Sequence, residues 1–179
     1  MYDLAIIGAG WAGYKACLRA KQLGFKVTLV DKAQVGGTCL NLGCIPTKTL
    51  IQSARVFNLV KKSSGFGINS APPVVDFLKV QERKDKIIQQ LRNNMQAMLK
   101  DIDYLAGEAR ILSPQEIKVS GKTIQSRYIL IASGSIAYEL PQFKFDAKKI
   151  LSSSEMLSLR EIPGSLLIIG GGFIGCEFA

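Results

Sequence analysis

The six residues Gly8-Ala9-Gly10-Trp11-Ala12-Gly13 constrain this chain more than any other stretch. They follow the short apolar run at 3–7, which reads as a strand. They lead into residues 12–23, where Ala12, Ala16, Ala20 and Leu23 recur at helical spacing and Gly24 closes the run. "KVTLV" at 26–30 reads as a second strand, so about 30 residues form a strand–helix–strand unit suited to a parallel crossover. Within such a unit the three glycines have separate roles. Gly8 permits the tight turn, Gly10 lets backbone N–H groups approach a pyrophosphate, and Gly13 lets the helix pack on the strand. The helix N-terminus offers its positive dipole end to phosphate. Asp31 ends the second strand, 18 residues after Gly13, where it can accept hydrogen bonds from a ribose diol.

With 17 glycines in 179 residues, one such spacing arises by chance about 0.15 times per chain, so one match carries little. A second match, Gly170-Gly171-Gly172-Phe173-Ile174-Gly175, again follows an apolar run, "SLLIIGGG" at 165–172, which reads as a strand. It opens the helix-like "FIGCEFA". Two matches in context mark two dinucleotide sites. Glycine spacing does not separate FAD from a nicotinamide dinucleotide. The residues that would discriminate against a 2′-phosphate fall about 20 positions past the second motif, beyond Ala179.

Cysteines occur at positions 17, 39, 44 and 176. In a reducing compartment a disulfide framework is disfavoured, and a close pair reads as redox or metal chemistry. Cys39 and Cys44 lie in "GGTCLNLGCIPTK" (36–48), ahead of a helix expected over 47–62, and a helix start favours thiolate. An ideal helix would hold such a pair too far apart for a disulfide; Gly43 and Pro46 can supply the distortion. A disulfide closing so short a loop is reducible, which suits a catalytic dithiol; the other reading is two inert buried thiols. Zinc lacks two further ligands at zinc spacing and any histidine. Cys17 and Cys176 read as buried filler on the two motif helices.

Elsewhere, 63–74 reads as a loop and 76–100 as one or two amphipathic helices with Ile87, Ile88, Leu91, Met95, Met98 and Leu99 on one face. Strand-like pieces follow at 103–112, 115–119 and 123–125, the last two around Ser120-Gly121, and "YILIAS" at 128–133 reads as a buried strand. The expected fold class is α/β: a Rossmann-like domain with a parallel sheet plus a small antiparallel β piece, then the first strand–turn–helix of a second Rossmann-like domain. The boundary falls near residue 150, giving 1–150 and 151–179. The chain stops inside its last helix with no cap, as an N-terminal fragment would.

Composition excludes several classes. A chain 47% hydrophobic and 21% charged is neither disordered nor collagen-like. No apolar run is long enough for a membrane span. The start has no basic leader or cleavage site, so a cytoplasmic location, or a matured form, is expected. The net charge of +9 is spread over helix faces and reads as solvated surface, with attraction for anionic cofactors as the minor reading and nucleic acid disfavoured. With no histidine in the sequence, chemistry inside this chain proceeds without imidazole.

"IIGAGWAGYKA", "GGTCLNLGCIPTKTL", "ILIASGS", "ILSSSEMLSL" and "LLIIGGGFIGCEFA" together resemble the pyridine nucleotide–disulfide oxidoreductases, over all 179 residues. "SSSEMLSLREIPGSLLIIGGG" is more similar to the lipoamide branch than to glutathione or mercuric reductases. The resemblance implies FAD at the first glycine motif and NAD at the second. It implies that Cys39 is the thiol that exchanges with substrate and Cys44 the thiol beside the flavin, with Lys48 against the flavin and paired with Glu177. Ala109 would meet the adenine, and Ser133, Gly134 and Ser135 would line the FAD site with Lys32, Gly37 and Thr38. Phe173 and Ile174 would border the nicotinamide site together with Gly170, Gly172 and Gly175. The family carries glutamate where this chain has Asp31, and usually threonine at Ser133. The implied activity is oxidation of a dihydrolipoyl group on a lipoyl-bearing protein of a 2-oxo acid dehydrogenase or glycine cleavage complex. A full-length member would be a homodimer, with a His–Glu acid–base pair supplied from a later domain. The chain alone would be inactive.

Overall fold

The computed structural model describes all 179 residues. Its strands are β1 (Tyr2–Ile7), β2 (Val27–Asp31), β3 (Asp103–Ala106), β4 (Ala109–Ser113), β5 (Glu116–Val119) and β6 (Lys122–Ile131). Its helices are α1 (Trp11–Gln22), α2 (Gly37–Leu42), α3 (Cys44–Lys61), α4 (Phe77–Met98), α5 (Ser153–Met156) and α6 (Phe173–Phe178), with a 3₁₀ turn at Ser63–Phe66. The chain divides into two compact units, Met1–Asn41 with Gln90–Ile136, and Leu42–Gln89 with Ala137–Ala179. Residues 137–150 therefore group by packing with 151–179. This grouping differs from the division expected near residue 150.

The first unit holds one six-stranded sheet in the order β3-β2-β1-β6-β5-β4. β3, β2, β1 and β6 are mutually parallel, and β4-β5-β6 form the expected antiparallel piece. Side chains alternate across a strand. Ala5 and Val30 therefore cluster on one face with Ile117 and Val119 of β5, while Ile6 faces the other, where α1 lies. Burial on both faces is what gives β1 and β2 nearly continuous apolar sequences. From α1, Tyr14, Cys17 and Ala20 are buried.

Three strand expectations change. The piece at 103–112 is two strands, broken at Gly107, whose φ of +147° a side chain would not tolerate. The pieces at 123–125 and 128–133 are one strand, β6, and it is not buried: Tyr128, Leu130 and Ile131 are exposed. The apolar run at 165–172 forms no strand. It has no hydrogen-bonding partner strand, and a ladder is what defines one.

In the second unit α3 begins at Cys44 rather than Thr47, so Pro46 sits in the first turn, where its missing N–H costs nothing. The long helix is single. Of its expected face, Ile88, Met95 and Leu99 are buried while Leu91 and Met98 are exposed. The N-terminal half of α4 secures the segment after α5. The Lys84 ammonium donates to the Leu157 carbonyl (2.9 Å) and the Gln81 amide to the Leu159 carbonyl (2.8 Å), both side chains being buried. Ser152 and Glu155 form a capping box at the start of α5. No helix is long and apolar enough to cross a membrane.

Candidate functional site

In the first unit the carboxyl ends of the parallel strands β2, β1 and β6 lie side by side; the chain runs from β1 out to β2 and β3 on one side and returns on the other, through β4 and β5, to β6. Open α/β sheets bind ligands at such a switch point. Gly8 follows β1 with φ +107°, and a Cβ there would overlap the Ala132 carbonyl just past β6. A Cβ on Gly13 would overlap the Gly8 carbonyl oxygen and press on Ile6 Cγ2 at 3.1 Å. These two glycines are therefore required by the fold. Gly10 is not. Its φ of −67° and ψ of 179° suit any residue, and a Cβ there would meet only Gly37 Cα at 3.7 Å. The space above Gly10 is a cradle that protein does not fill. No side chain caps α1, its first turn has no acidic residue, and its earliest intrahelical bond is Tyr14 N–H to Gly10 O (2.8 Å). The preceding N–H groups can meet an anion. The residues present thus fit a dinucleotide pyrophosphate.

The Asp31 carboxylate accepts from Ala9 N–H (2.6 Å) and from Ala33 N–H (2.8 Å). It braces the glycine turn, and each oxygen retains a lone pair for a ribose hydroxyl. Lys32 is exposed and pairs with exposed Glu108 at 3.4 Å, a contact worth little. Gly36 N–H donates to Ala9 O (2.9 Å), and Gly10 and Gly36 form a parallel bridge, so the 8–10 and 36–37 loops run side by side. At Gly37, φ +58°, a Cβ would come within 2.7 Å of Gly10 Cα. Ala109 opens β4, half-buried against the core cluster. Ser133, Gly134 and Ser135 follow β6 as exposed loop.

The cysteines differ from expectation. The helix expected from Thr47 begins at Cys44, and a short helix precedes it. Cys39 lies within the short helix α2, half-buried, behind Thr38. In the second unit Cys44 is the first residue of α3 and is exposed. Gly43 (φ −148°, ψ −113°) interrupts the helical path between them. Cys176 is exposed, not buried, because α6 is covered on few sides. Cys17 is fully buried, and burial pushes its thiol up to about 11, only partly offset by Lys21. At pH 8 it stays protonated. Iodoacetamide on the native protein is therefore expected to modify Cys44 and Cys176 about tenfold or more faster than Cys17; equal rates, read by peptide mass, would contradict this.

Also in the second unit, Lys48 of α3 and Glu177 of α6 form an ion pair, as the resemblance implied. The second glycine turn repeats the first. Gly170 has φ +111°, Gly172 caps α6 at φ −73° and ψ 174°, and a Cβ on Gly175 would overlap the Gly170 carbonyl and meet Ile168 Cγ2 at 3.1 Å. Phe173 and Ile174 are exposed. These residues fit a second dinucleotide turn.

Sequence reasoning missed two features. Trp11, the first residue of α1, is 43% exposed, with the Lys15 ammonium 5.9 Å from its ring. Asn41 donates to carbonyls of the loop that opens α2, and Arg92 donates to the Asn41 amide oxygen. The i to i+4 spacing of Gly37 and Asn41 was the available signal for the latter; Arg92 had none.

A family model described as pyridine nucleotide-disulphide oxidoreductase matches residues 2–179. A dihydrolipoyl dehydrogenase of Bacillus subtilis (strain 168) is 47% identical, covering 98% of this chain and 40% of that protein. One from Acholeplasma laidlawii is 43% identical, covering 99% and 55%. Among solved structures, the HOCl-induced flavoprotein disulfide reductase RclA from Escherichia coli superposes with a TM-score of 0.83 at 32% identity, over 99% of this chain and 38% of that one. The chain thus spans about two fifths to just over half of these proteins. Dihydrolipoyl dehydrogenases and the family around them use FAD and NAD(P). On the match over 2–179, the two glycine turns and the paired cysteines, the chain belongs to the pyridine nucleotide-disulphide oxidoreductase family.

Proposed function

We propose that this chain is the FAD-binding, dithiol-bearing part of a dihydrolipoyl dehydrogenase, with 1–150 serving the flavin and 151–179 beginning the NAD site. One observation carries the reading. The open cradle at Gly10 is seated directly against Gly36-Gly37, which opens the helix bearing Cys39, so a dinucleotide bound there lies beside the thiol segment. Two relatives above 40% identity, both dihydrolipoyl dehydrogenases, support the substrate class. The likeness to a flavoprotein disulfide reductase favours a second reading, another disulfide substrate on the same machinery.

In the proposed reaction a dihydrolipoyl thiolate attacks the Cys39–Cys44 disulfide at Cys39, releasing Cys44 as thiolate. The second lipoyl thiolate then displaces Cys39, so the lipoyl disulfide forms and both cysteines are reduced. Bound FAD would supply a two-electron relay and NAD the final hydride acceptor. Lys48, paired with Glu177, would hold positive charge near the reduced Cys44. The partners proposed are a lipoyl-bearing protein of a 2-oxo acid dehydrogenase or glycine cleavage complex and a second copy of the protein.

In the two-electron-reduced, flavin-loaded protein, Cys44→Ser is expected to abolish the thiolate–flavin charge-transfer absorbance while flavin stays bound. Cys39→Ser is expected to keep the absorbance and lose exchange with substrate. A band that persists in Cys44→Ser overturns the assignment.

A further inference from the structure

Asn41 and Arg92, both half-buried, form a hydrogen-bond relay that nothing in the proposed chemistry uses. The Asn41 amide nitrogen donates to three carbonyls of the loop that opens α2: Gly37 (3.0 Å), Val35 (3.2 Å) and Gln34 (3.4 Å). Its oxygen accepts two N–H groups of Arg92, from Nε (3.2 Å) and Nη2 (2.8 Å). Arginine has only donors, so the amide oxygen must face it, and this fixes the orientation of the amide. A cation on the oxygen polarises the amide and strengthens its N–H donors. From that loop the bonding continues through Gly36 N–H to Ala9 O, inside the first glycine turn. The relay therefore runs from α4 to the cofactor cradle through the segment that carries Cys39.

We propose that Arg92 and Asn41 are positioning residues for the dithiol. They lock α2 to the cofactor loop and so limit the orientations of Cys39. The inference rests on the dithiol reading above. α2 is six residues long, too short to hold its own shape, and a charged relay from a long helix supplies the missing constraint. Loosening it would lower the effective concentration of one thiol at the other, which disfavours the disulfide.

The test is a glutathione titration of the flavin-loaded protein, with thiols trapped by acid and counted at Cys39 by mass. In this equilibrium two glutathione thiols become one glutathione disulfide, and the Cys39–Cys44 bond becomes two thiols. Arg92→Gln and Asn41→Asp are each expected to shift the equilibrium toward dithiol about tenfold, which for two electrons is about 30 mV toward a more oxidising couple. Arg92→Lys, keeping one charged donor, is expected to recover part of that shift. Should Arg92→Gln not fold, Arg92→Lys against the parent gives the same readout at smaller size. Potentials of all variants within twofold of the parent's equilibrium overturn the proposal while leaving the dithiol reading intact. A parent whose Cys39 takes up no electrons removes that reading, and this inference with it.

Discussion

Gly13→Ala is expected to cost about 3 kcal/mol or more of stability, at or above the upper end of overpacking. The added Cβ would overlap the Gly8 carbonyl oxygen, with Ile6 Cγ2 at 3.1 Å behind it. Neither neighbour can retreat. Gly8 is held by its N–H to Val30 O (2.7 Å) and by the Ala132 carbonyl against its Cα, and Ile6 is fully buried. Relief requires lifting α1 off β1, which exposes Tyr14, Cys17 and Ala20. Gly24→Ala is the comparison. There φ is +82° but nothing lies within 4 Å, so only the left-handed backbone costs, about 1–2 kcal/mol. Urea denaturation measures both. A Gly13→Ala midpoint no lower than that of Gly24→Ala would show that the helix and strand are not locked at this contact.

Gly10→Val is expected to leave a folded protein that does not retain flavin. The protein has room for a side chain here, so stability should change little. The isopropyl group would instead occupy the cradle and separate the pyrophosphate from the α1 N–H groups. Losing two charge-assisted hydrogen bonds at about 1.5–3 kcal/mol each weakens affinity roughly a hundredfold or more. Asp31→Asn should do less. Its amide oxygen can still accept from Ala9 N–H, while its NH₂ would face Ala33 N–H, and one charge-assisted ribose contact weakens. Flavin retention after gel filtration ranks the two. Retention by Gly10→Val equal to the parent's would mean that the first glycine turn is a structural turn only.

What was legible in the sequence was local. The first crossover and its glycines could be read because period, turn and cap signals sit within about 30 residues. The helix α2 could not. Its six residues, Gly37–Leu42, carry no periodicity, and what holds them includes Arg92, 51 positions from Asn41. The run at 165–170 has no partner strand within these 179 residues, and apolar sequence alone gives only the capacity to form a strand. β6 and Cys176 misled on burial, since apolar or small neighbours in sequence do not ensure a covering layer in space. The site followed the same division. Gly8, Gly10, Gly13 and Asp31 came together as their spacing indicated, while the brace from Asp31 to Ala9 N–H depends on a turn geometry that spacing does not show.

The two glycine turns agree in detail although their surroundings do not. Gly8 and Gly170 differ by 4° in φ (+107° and +111°), and in each turn the third glycine sits on the carbonyl of the first with an isoleucine Cγ2 at 3.1 Å. Yet the first turn is anchored in a six-stranded sheet, and the second follows a segment that pairs with nothing. The shape of the turn is therefore written in its own six residues and the isoleucine before them. The same cassette thus recurs at two places in one chain. A chain could acquire a second nucleotide site by copying that short cassette.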